Sequence, residues 1–177
     1  MTARRSRDLL VLGITLAVLA ADQISKYWVR YHLEFNVPWN PLPWLRPILS
    51  FTYVSNTGVA FGFFQGLNWL YTLVTIAVIG LVLHIFRHLP ARHNLLLVSQ
   101  GLILGGASGN LVDRLWLGRV VDFLDLNFWP LQEWPVFNVA DSCVVVGVCV
   151  LAVYLLFEQG PSPVSSDAPD QGKQIPQ

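Results

Sequence analysis

The chain has 177 residues, of which 54% are hydrophobic and only 12% are charged, and its formal net charge is zero. This excess of apolar residues is typical of membrane proteins, and the neutral balance excludes the basic surface expected of a nucleic-acid-binding protein. Neither an HExxH nor a CxxC motif occurs, so the sequence predicts no metal ion and no other cofactor.

Four segments have the length of about 20 mainly apolar residues that a helix needs to cross a bilayer. They cover about residues 9–29, 67–86, 94–112 and 136–157. The first segment also resembles a secretory signal peptide with a small-residue cleavage site near Ala20, but DQISKYW continues the helix with an aromatic end, which favours a span. We therefore predict an all-α integral membrane protein with four transmembrane helices.

The connection between the first two spans contains ILSFTYVSNTGVAFGFF, which predicts two short strands around an Asn-Thr-Gly turn and hence a small extracytoplasmic β element. No charged residue occurs from residue 47 to 83, so this connection suits a lip that contacts lipid. The last residues are rich in Pro, Gly and Ser. We predict a four-helix membrane domain over residues 1–158 and a disordered tail over 159–177.

Basic residues do not settle the orientation of the spans by number, because five flank each side of the predicted membrane. The cluster of Arg4, Arg5 and Arg7 before the first helix favours a cytoplasmic N-terminus, and four spans then return the C-terminus to the same side. All seven tryptophans fall on the opposite, extracytoplasmic side: Trp28, Trp39, Trp44, Trp69, Trp116, Trp129 and Trp134. They form either a general interfacial belt or part of a clamp for substrate.

Ionisable side chains at membrane depth cost about 2.5–3.5 kcal/mol each, so each one requires an explanation. Four of the eight aspartates fall near the extracytoplasmic ends of the spans: Asp22, Asp113, Asp122 and Asp141. As single residues they could cap helices or pair with Lys26, Arg114 or Arg119. As a set they favour a carboxylate pair that shares one proton, which is the chemistry of an aspartyl peptidase. A small transporter or channel with aspartates in an ion path is the alternative function.

An asparagine and an aspartate three residues apart occur at the end of the third span and again at the start of the fourth. This spacing, in Asn110 with Asp113 and in Asn138 with Asp141, places an amide and a carboxylate on one helix face, one turn apart. Asp122 lies between the two pairs, in VVDF. Directly before the first pair, the small residues from 105 to 109 predict close packing between helices.

Five blocks of sequence together resemble lipoprotein signal peptidase, also called signal peptidase II, and they occur in the order of that family. The blocks are DQISK (22–26), NTGVAF (56–61), GGASGNLVDR (105–114), VVDF (120–123) and FNVADS (137–142). Each block alone is a weak signal, whereas five blocks in order on four spans are highly specific. They span residues 22 to 142, so the beginning of the chain and its tail add little to the resemblance.

The resemblance implies an aspartyl endopeptidase of the bacterial inner membrane, with its active site near the extracytoplasmic face. Its partners would be membrane lipids and diacylglyceryl-modified prolipoproteins, from which it removes the signal peptide by cutting just before the modified cysteine. It also implies inhibition by the cyclic peptide globomycin. The catalytic pair of the family falls in the VVDF and FNVAD blocks, which here gives Asp122 and Asp141.

Further residues in these blocks are implied to support the site. Asn110 and Asn138 would orient substrate carbonyls or the catalytic carboxylates, and Asn56 would belong to the β element that cradles the substrate. Asp113, with Arg114 beside it, would be an ionised structural acid. The full supporting set is Asp22, Lys26, Asn56, Gly106, Asn110, Asp113, Arg114 and Asn138.

Overall fold

A computed structural model of the chain describes residues 2–57, 68–88 and 94–158, with side chains over 5–57, 68–87 and 94–157. It contains four long helices: α1 (Thr2–His32), α2 (Asn68–His88), α3 (Asn94–Leu117) and α4 (Val139–Glu158). Each is long and apolar enough to cross a membrane, which confirms the predicted fold class. The predicted tail and the second predicted strand of the loop lie outside the described residues.

The helices extend beyond several of the predicted spans. The third span was predicted to end at residue 112 because Asp113 and Arg114 follow, yet α3 continues to Leu117. The prediction treated these charges as the end of the apolar segment. The helix continues through them because both side chains find polar partners inside the protein, so neither has to face lipid.

Helix α3 is the central helix of the bundle. Of its most apolar stretch 61% is buried, against 11% or less for each of the other three helices. Every fourth residue on its α1 face is a glycine, at which an added Cβ would collide with the facing helix. The successive contacts are Gly101 with Ile14, Gly105 with Val18, and Gly109 with Asp22. The residue numbers of these contacts increase together along the two helices, so α1 and α3 run parallel and in close contact.

Helix α4 packs against the other side of α3 in the antiparallel direction. A Cβ on Gly106 would collide with the backbone oxygen of Ala140, and one on Gly147 would crowd Ile103 and the backbone oxygen of Ser99. The hydroxyl of Ser99 also donates a hydrogen bond to the Gly147 carbonyl at 2.7 Å. These contacts confirm that the small residues around position 106 permit close helix packing.

A three-stranded antiparallel sheet covers one end of the bundle, in the order β1 (Pro38–Trp39), β2 (Leu49–Asn56), β3 (Val120–Leu126). A short 3₁₀ helix, Pro43–Leu45, connects β1 to β2. The first predicted strand of the α1–α2 connection is confirmed as β2. The sequence analysis did not predict β3, which comes from the α3–α4 connection. Pairing between two separate connections leaves no local turn signal, so periodicity and turn residues do not show it.

The sheet is fastened to the helices by a small hydrophobic core. Val121 and Phe123 of β3 pack against Val29 of α1, and all three are almost fully buried. Within the sheet, Val54 lies opposite Asp122, and an irregularity in β2 between Phe51 and Val54 shifts the register. The alternate residues Val120 and Asp122 lie on the other face of β3 and are also buried. Both faces of β3 are therefore inside the protein.

All seven tryptophans are exposed and lie in the helix ends and connections at the end of the bundle that carries the sheet. Trp28, in the last turns of α1, stacks on His32 with ring centroids 4.9 Å apart, and Trp39 of β1 lies 5.6 Å from Trp28. The prediction that the tryptophans share one end of the molecule is thus confirmed. These indole rings form an exposed aromatic rim around the sheet.

Candidate active site

Lys26 is the buried cation of the site, with only 1% of its side chain exposed. It lies on α1, and its ammonium contacts three oxygens: Asp22 Oδ2 at 2.8 Å, Asn110 Oδ1 at 2.9 Å and Asp113 Oδ2 at 3.0 Å. An ammonium group has three hydrogens, so these contacts use its full donor capacity. Lys26 therefore joins α1 to α3 through a charge network without an unsatisfied donor.

Asp22 and Gln23 extend this network. Asp22 is fully buried, and its Oδ1 accepts a hydrogen bond from the backbone N–H of Ala140, in the first turn of α4, at 3.0 Å. The amide nitrogen of Gln23 lies 3.1 Å from carboxylate oxygens of both Asp22 and Asp113. Sequence reasoning did not single out Gln23 as a site residue. An amide beside Asp22 in an otherwise apolar helix was the available signal.

Asp113 connects the end of α3 to the start of β3. Besides Lys26 and Gln23, it accepts a hydrogen bond from the backbone N–H of Val121 at 3.0 Å. This bond positions the strand that carries the next residue, Asp122. The carboxylate of Asp113 is thus committed to structural contacts on both oxygens.

Arg114 does not form the ion pair with Asp113 that the adjacent positions suggested. Neighbouring helical residues point about 100° apart, and the ion pair of Asp113 is made with Lys26 instead. Arg114 directs its guanidinium toward Thr75 Oγ1 on α2, at 3.4 Å, and toward the carbonyl oxygen of Asn110, at 3.3 Å. The backbone oxygen of Arg114 accepts a hydrogen bond from Asn68 at 3.2 Å. Arg114 therefore holds α2 against α3.

Asn138 and Asp141 form a reciprocal cap at the start of α4. The Asn138 side-chain oxygen accepts from the backbone N–H of Asp141 at 2.8 Å, and Asp141 Oδ2 accepts from the backbone N–H of Asn138 at 3.2 Å. The sequence analysis placed both residues on one helix face, one turn apart. Asn138 instead precedes the helix as its N-cap, because its side chain satisfies a backbone donor of the first turn.

Asp122 is 2% exposed and is held by two asparagine side chains. Asn138 donates to its Oδ1 at 2.7 Å, and Asn56 donates to its Oδ2 at 2.9 Å. Asn56 reaches it because β2 and β3 pair with Asn56 opposite Val120, diagonal to Asp122 on the same sheet face. The strand pairing thus brings together two residues that lie far apart in the sequence.

Asn110 links the two parts of the site. Its side-chain oxygen accepts from Lys26, and it lies 3.1 Å from the amide nitrogen of Asn138. Its own amide nitrogen donates to Asp141 Oδ1 at 2.7 Å. Asn110 and Asp113 both contact Lys26. This confirms the prediction that the two residues share one helix face. Asn110 therefore connects the ion cluster around Lys26 to the carboxylate of Asp141 by hydrogen bonds.

Asp122 and Asp141 lie on either side of Asn138, which donates to Asp122 from its side chain and to Asp141 from its backbone. Burial raises the pKa of Asp122 from its ordinary 3.8 to about 6, and repulsion from the Asp141 carboxylate adds to the rise. Hydrogen bonds from Asn56 and Asn138 act in the opposite direction. Asp122 therefore retains its proton at a pH where an isolated carboxyl is ionised.

Nearly all the residues named from the sequence belong to one connected arrangement at the sheet end of the bundle. Gly106 contributes the close approach of α3 to α4 rather than a polar group, and Arg114 lies at the edge. The remaining residues form a single hydrogen-bonded network: Asp22, Lys26, Asn56, Asn110, Asp113, Asp122, Asn138 and Asp141. The network has one buried cation and four carboxyl groups, of which Asp141 is only half-buried.

Comparison with known proteins places the chain in a family. A family model described as signal peptidase (SPase) II matches residues 14–157. A lipoprotein signal peptidase of Moorella thermoacetica is 44% identical over 155 residues, which cover 86% of this chain and 98% of that protein. One of Streptococcus agalactiae is 38% identical over 154 residues, covering 86% and 96%.

Solved structures show the same architecture. A bacterial membrane enzyme determined by the in meso method at 2.3 Å resolution superposes with a TM-score of 0.75 at 26% identity, covering 93% of this chain and 94% of that one. A second, at 1.9 Å resolution, gives a TM-score of 0.73 at 28% identity, covering 82% and 92%.

Proposed function

The chain belongs to the signal peptidase II family and is a membrane peptidase, and we propose that it removes signal peptides from diacylglycerated prolipoproteins. In this proposal it is an aspartyl endopeptidase that cuts just before the lipid-modified cysteine. Asp122 and Asp141 are the catalytic pair. Family membership also favours this function over the transporter or channel that buried aspartates alone would have allowed.

The observation that carries the proposal is that Asp122 and Asp141 both accept hydrogen bonds from Asn138. Among the described residues no cation is in direct contact with either carboxyl, and both carboxyls are positioned by asparagine amides. The raised pKa of Asp122, to about 6, supports a pair in which Asp122 is the protonated member up to a higher pH than an ordinary carboxyl would be. Aspartyl peptidases depend on this protonation state, with one carboxylate as base and one carboxylic acid.

The proposed reaction uses the pair twice. The ionised carboxylate takes a proton from a water molecule, and the water oxygen attacks the scissile carbonyl carbon while the protonated carboxyl gives its proton to the carbonyl oxygen. The resulting diol then gives one hydroxyl proton back to the carboxyl group that had protonated the carbonyl oxygen. The other carboxyl protonates the leaving nitrogen, the C–N bond breaks, and the pair is restored to its starting state.

The position of the pair supports a substrate that lies in the membrane. Asp122 and Asp141 lie where the sheet meets the ends of α3 and α4, inside the exposed aromatic rim. A signal helix spanning the bilayer would bring its scissile bond to this level. In the proposal, Trp28 and Trp39 lie at the membrane interface and help to hold the acylated cysteine.

We further propose that the protein lies in the bacterial cytoplasmic membrane with both termini cytoplasmic and its site near the extracytoplasmic face. Four spans and a basic N-terminal segment support this orientation. Globomycin-type cyclic peptides would inhibit the enzyme by occupying the site in place of the substrate.

The test is a cleavage assay with the purified protein in liposomes. A prolipoprotein carrying the diacylglyceryl cysteine should shift to the mature form on a gel, and its new N-terminus should be that cysteine by mass spectrometry. The same prolipoprotein without the lipid is the matched control and should be cut poorly, as should the acylated substrate in the presence of globomycin. Ion or solute flux through the same liposomes without cleavage would contradict the proposal.

A further inference from the structure

A groove lies at the end of the helices opposite the sheet. At about 1.5 Å per residue along α1, Arg7 is about 22 Å from Asp22. The groove has a volume of about 790 Å³ and opens between α1, α2 and α3. This volume lies within the roughly 300–1,000 Å³ typical of ligand sites.

The groove follows from how the three helices pack. Glycines draw α1 against α3, and α2 packs on another face of α3. In the described part of the chain, α1 and α2 scarcely touch one another. The space between them is therefore floored by α3 and open toward the surrounding lipid.

Stripes of apolar side chains line the groove on all three helices. They recur at helical spacing, and they are interrupted by two polar side chains, Thr15 on α1 and Gln100 on α3. The apolar lining consists of Val11, Leu12, Leu83, Phe86, Leu96, Leu97 and Leu104. Within a bilayer such walls match an acyl chain, because lipid tails are as apolar as leucine.

Charged side chains occur at one end of this lining. Arg7 and Asp8 come from the start of α1, and Arg87 comes from the end of α2. The ion pairs found in the described residues both belong to Lys26, so Asp8 makes no direct ion pair with either guanidinium there. Two exposed arginines against one carboxylate, at the edge of an apolar groove, favour an anionic headgroup.

We propose that this groove binds one anionic phospholipid whose headgroup is a phosphodiester bearing uncharged hydroxyls. Arg7 and Arg87 bind the phosphate, and Asp8 accepts hydrogen bonds from the headgroup hydroxyls. An acyl chain lies along the apolar lining of the groove, against Leu97. The bound lipid fills the space between α1 and α2. The proposal is independent of the peptidase chemistry at the other end of the helices.

The experiment is native mass spectrometry of the full-length protein, delipidated in detergent and supplied with phosphatidylglycerol or phosphatidylethanolamine of identical chains. Phosphatidylglycerol should bind at least about tenfold more tightly. The double variant Arg7→Gln/Arg87→Gln should lose this preference. Leu12→Trp keeps every charge but fills the groove, so it should weaken both lipids together.

A matched control removes the same charge elsewhere. Arg5 lies two residues before Arg7, about 200° around α1, and Arg46 lies at the sheet end of the molecule. Arg5→Gln/Arg46→Gln should therefore bind phosphatidylglycerol as the parent does. Equal losses in both double variants, or equal binding of the two lipids by the parent, would overturn the proposal. Glycerol 3-phosphate alone should bind far more weakly; binding as tight as that of the lipid would indicate a phosphate site and no lipid site.

Discussion

Two acid clusters lie side by side at the sheet end of the molecule and differ in what surrounds them. Asp22 and Asp113 share the ammonium of Lys26 and the amide of Gln23. Asp122 and Asp141 are held by Asn56, Asn110 and Asn138. In the first cluster one ammonium offsets one of two carboxylate charges, whereas the second cluster has only neutral donors in direct contact within the described part of the chain.

In the proposed mechanism this difference separates a structural cluster from a reactive one. A cation in direct contact fixes a buried carboxyl in an ion pair. Neutral amides fix the position of a carboxyl without supplying the opposite charge. Asn110 contacts both clusters, so the buried ion network also helps to position the acid pair.

The sharpest test of the comparison is removal of either reactive acid. We expect Asp122→Asn and Asp141→Asn each to lower cleavage of acylated prolipoprotein by about 10³-fold or more, because no base or acid remains to complete the proton transfers. The protein should still accumulate in the membrane. Asp125→Asn is the matched control, since Asp125 lies on the same strand and bonds Thr52 instead. Full activity in either Asp122→Asn or Asp141→Asn would exclude the pair.

The structural cluster should respond in stability. Lys26→Met leaves two buried carboxylates without their cation, and we expect a loss of about 3–5 kcal/mol in the free energy of unfolding. Thermal unfolding in detergent measures it, with Arg30→Met, one turn further along α1 and exposed, as control. Adding Asp22→Asn and Asp113→Asn to Lys26→Met should recover part of the loss. No recovery would mean that the cluster is not held by charge.

Asp122 also predicts a pH dependence of stability. Its folded pKa, about 6 against an ordinary 3.8, makes the native state lose stability as pH rises from about 4 through 6. The full effect corresponds to roughly 3 kcal/mol. Asp122→Asn cannot ionise, so it should unfold at a higher temperature than the parent at pH 7.5 and at a similar temperature near pH 4. The gain in stability of Asp122→Asn at pH 7.5 should be smaller than this full effect, because an amide matches the donors of Asn56 and Asn138 less well than a carboxylate does. A variant less stable than the parent at pH 7.5 would contradict the raised pKa.

Asp113→Asn should have a smaller effect than loss of Lys26. Lys26 keeps its contact with Asp22, while the bond to the Val121 N–H is weakened, so we expect a loss of about 1–3 kcal/mol in stability. Cleavage should persist at a reduced rate in the fraction that folds. Complete loss of cleavage by a stably folded Asp113→Asn protein would show that Asp113 is one of the reacting acids.

The smallest change is expected from Asn56→Ala. Its hydrogen bond lowers the pKa of Asp122, so removing it should shift the alkaline fall of the cleavage rate upward by about one pH unit. The pH profile distinguishes this from a purely structural loss, which would lower the rate equally at every pH. Asn40→Ala, which removes a hydrogen bond to Ser50 elsewhere in the sheet, should leave the profile in place.

Much of the site could be predicted from the sequence because charged residues are so scarce in this chain. Asp22, Asp113, Asp122 and Asp141 stood out as acids at the ends of apolar segments, and the resemblance selected two of them as catalytic. Their partners were less accessible. Asp113 pairs with Lys26 and bonds to Gln23 because α1 lies against α3. No spacing of residues within one helix predicts this packing.

Apolar length by itself determined four helices of about the right extent, because a bilayer demands about 20 apolar residues per span. The tertiary structure alone decided the strand that carries Asp122. Val120–Leu126 pairs with a strand from another connection, and its burial on both faces comes from α1 and the asparagines around it. The raised pKa of Asp122 follows from that burial. Local sequence can place an acid near the membrane surface, but only the packing of distant segments removes it from water beside a second acid.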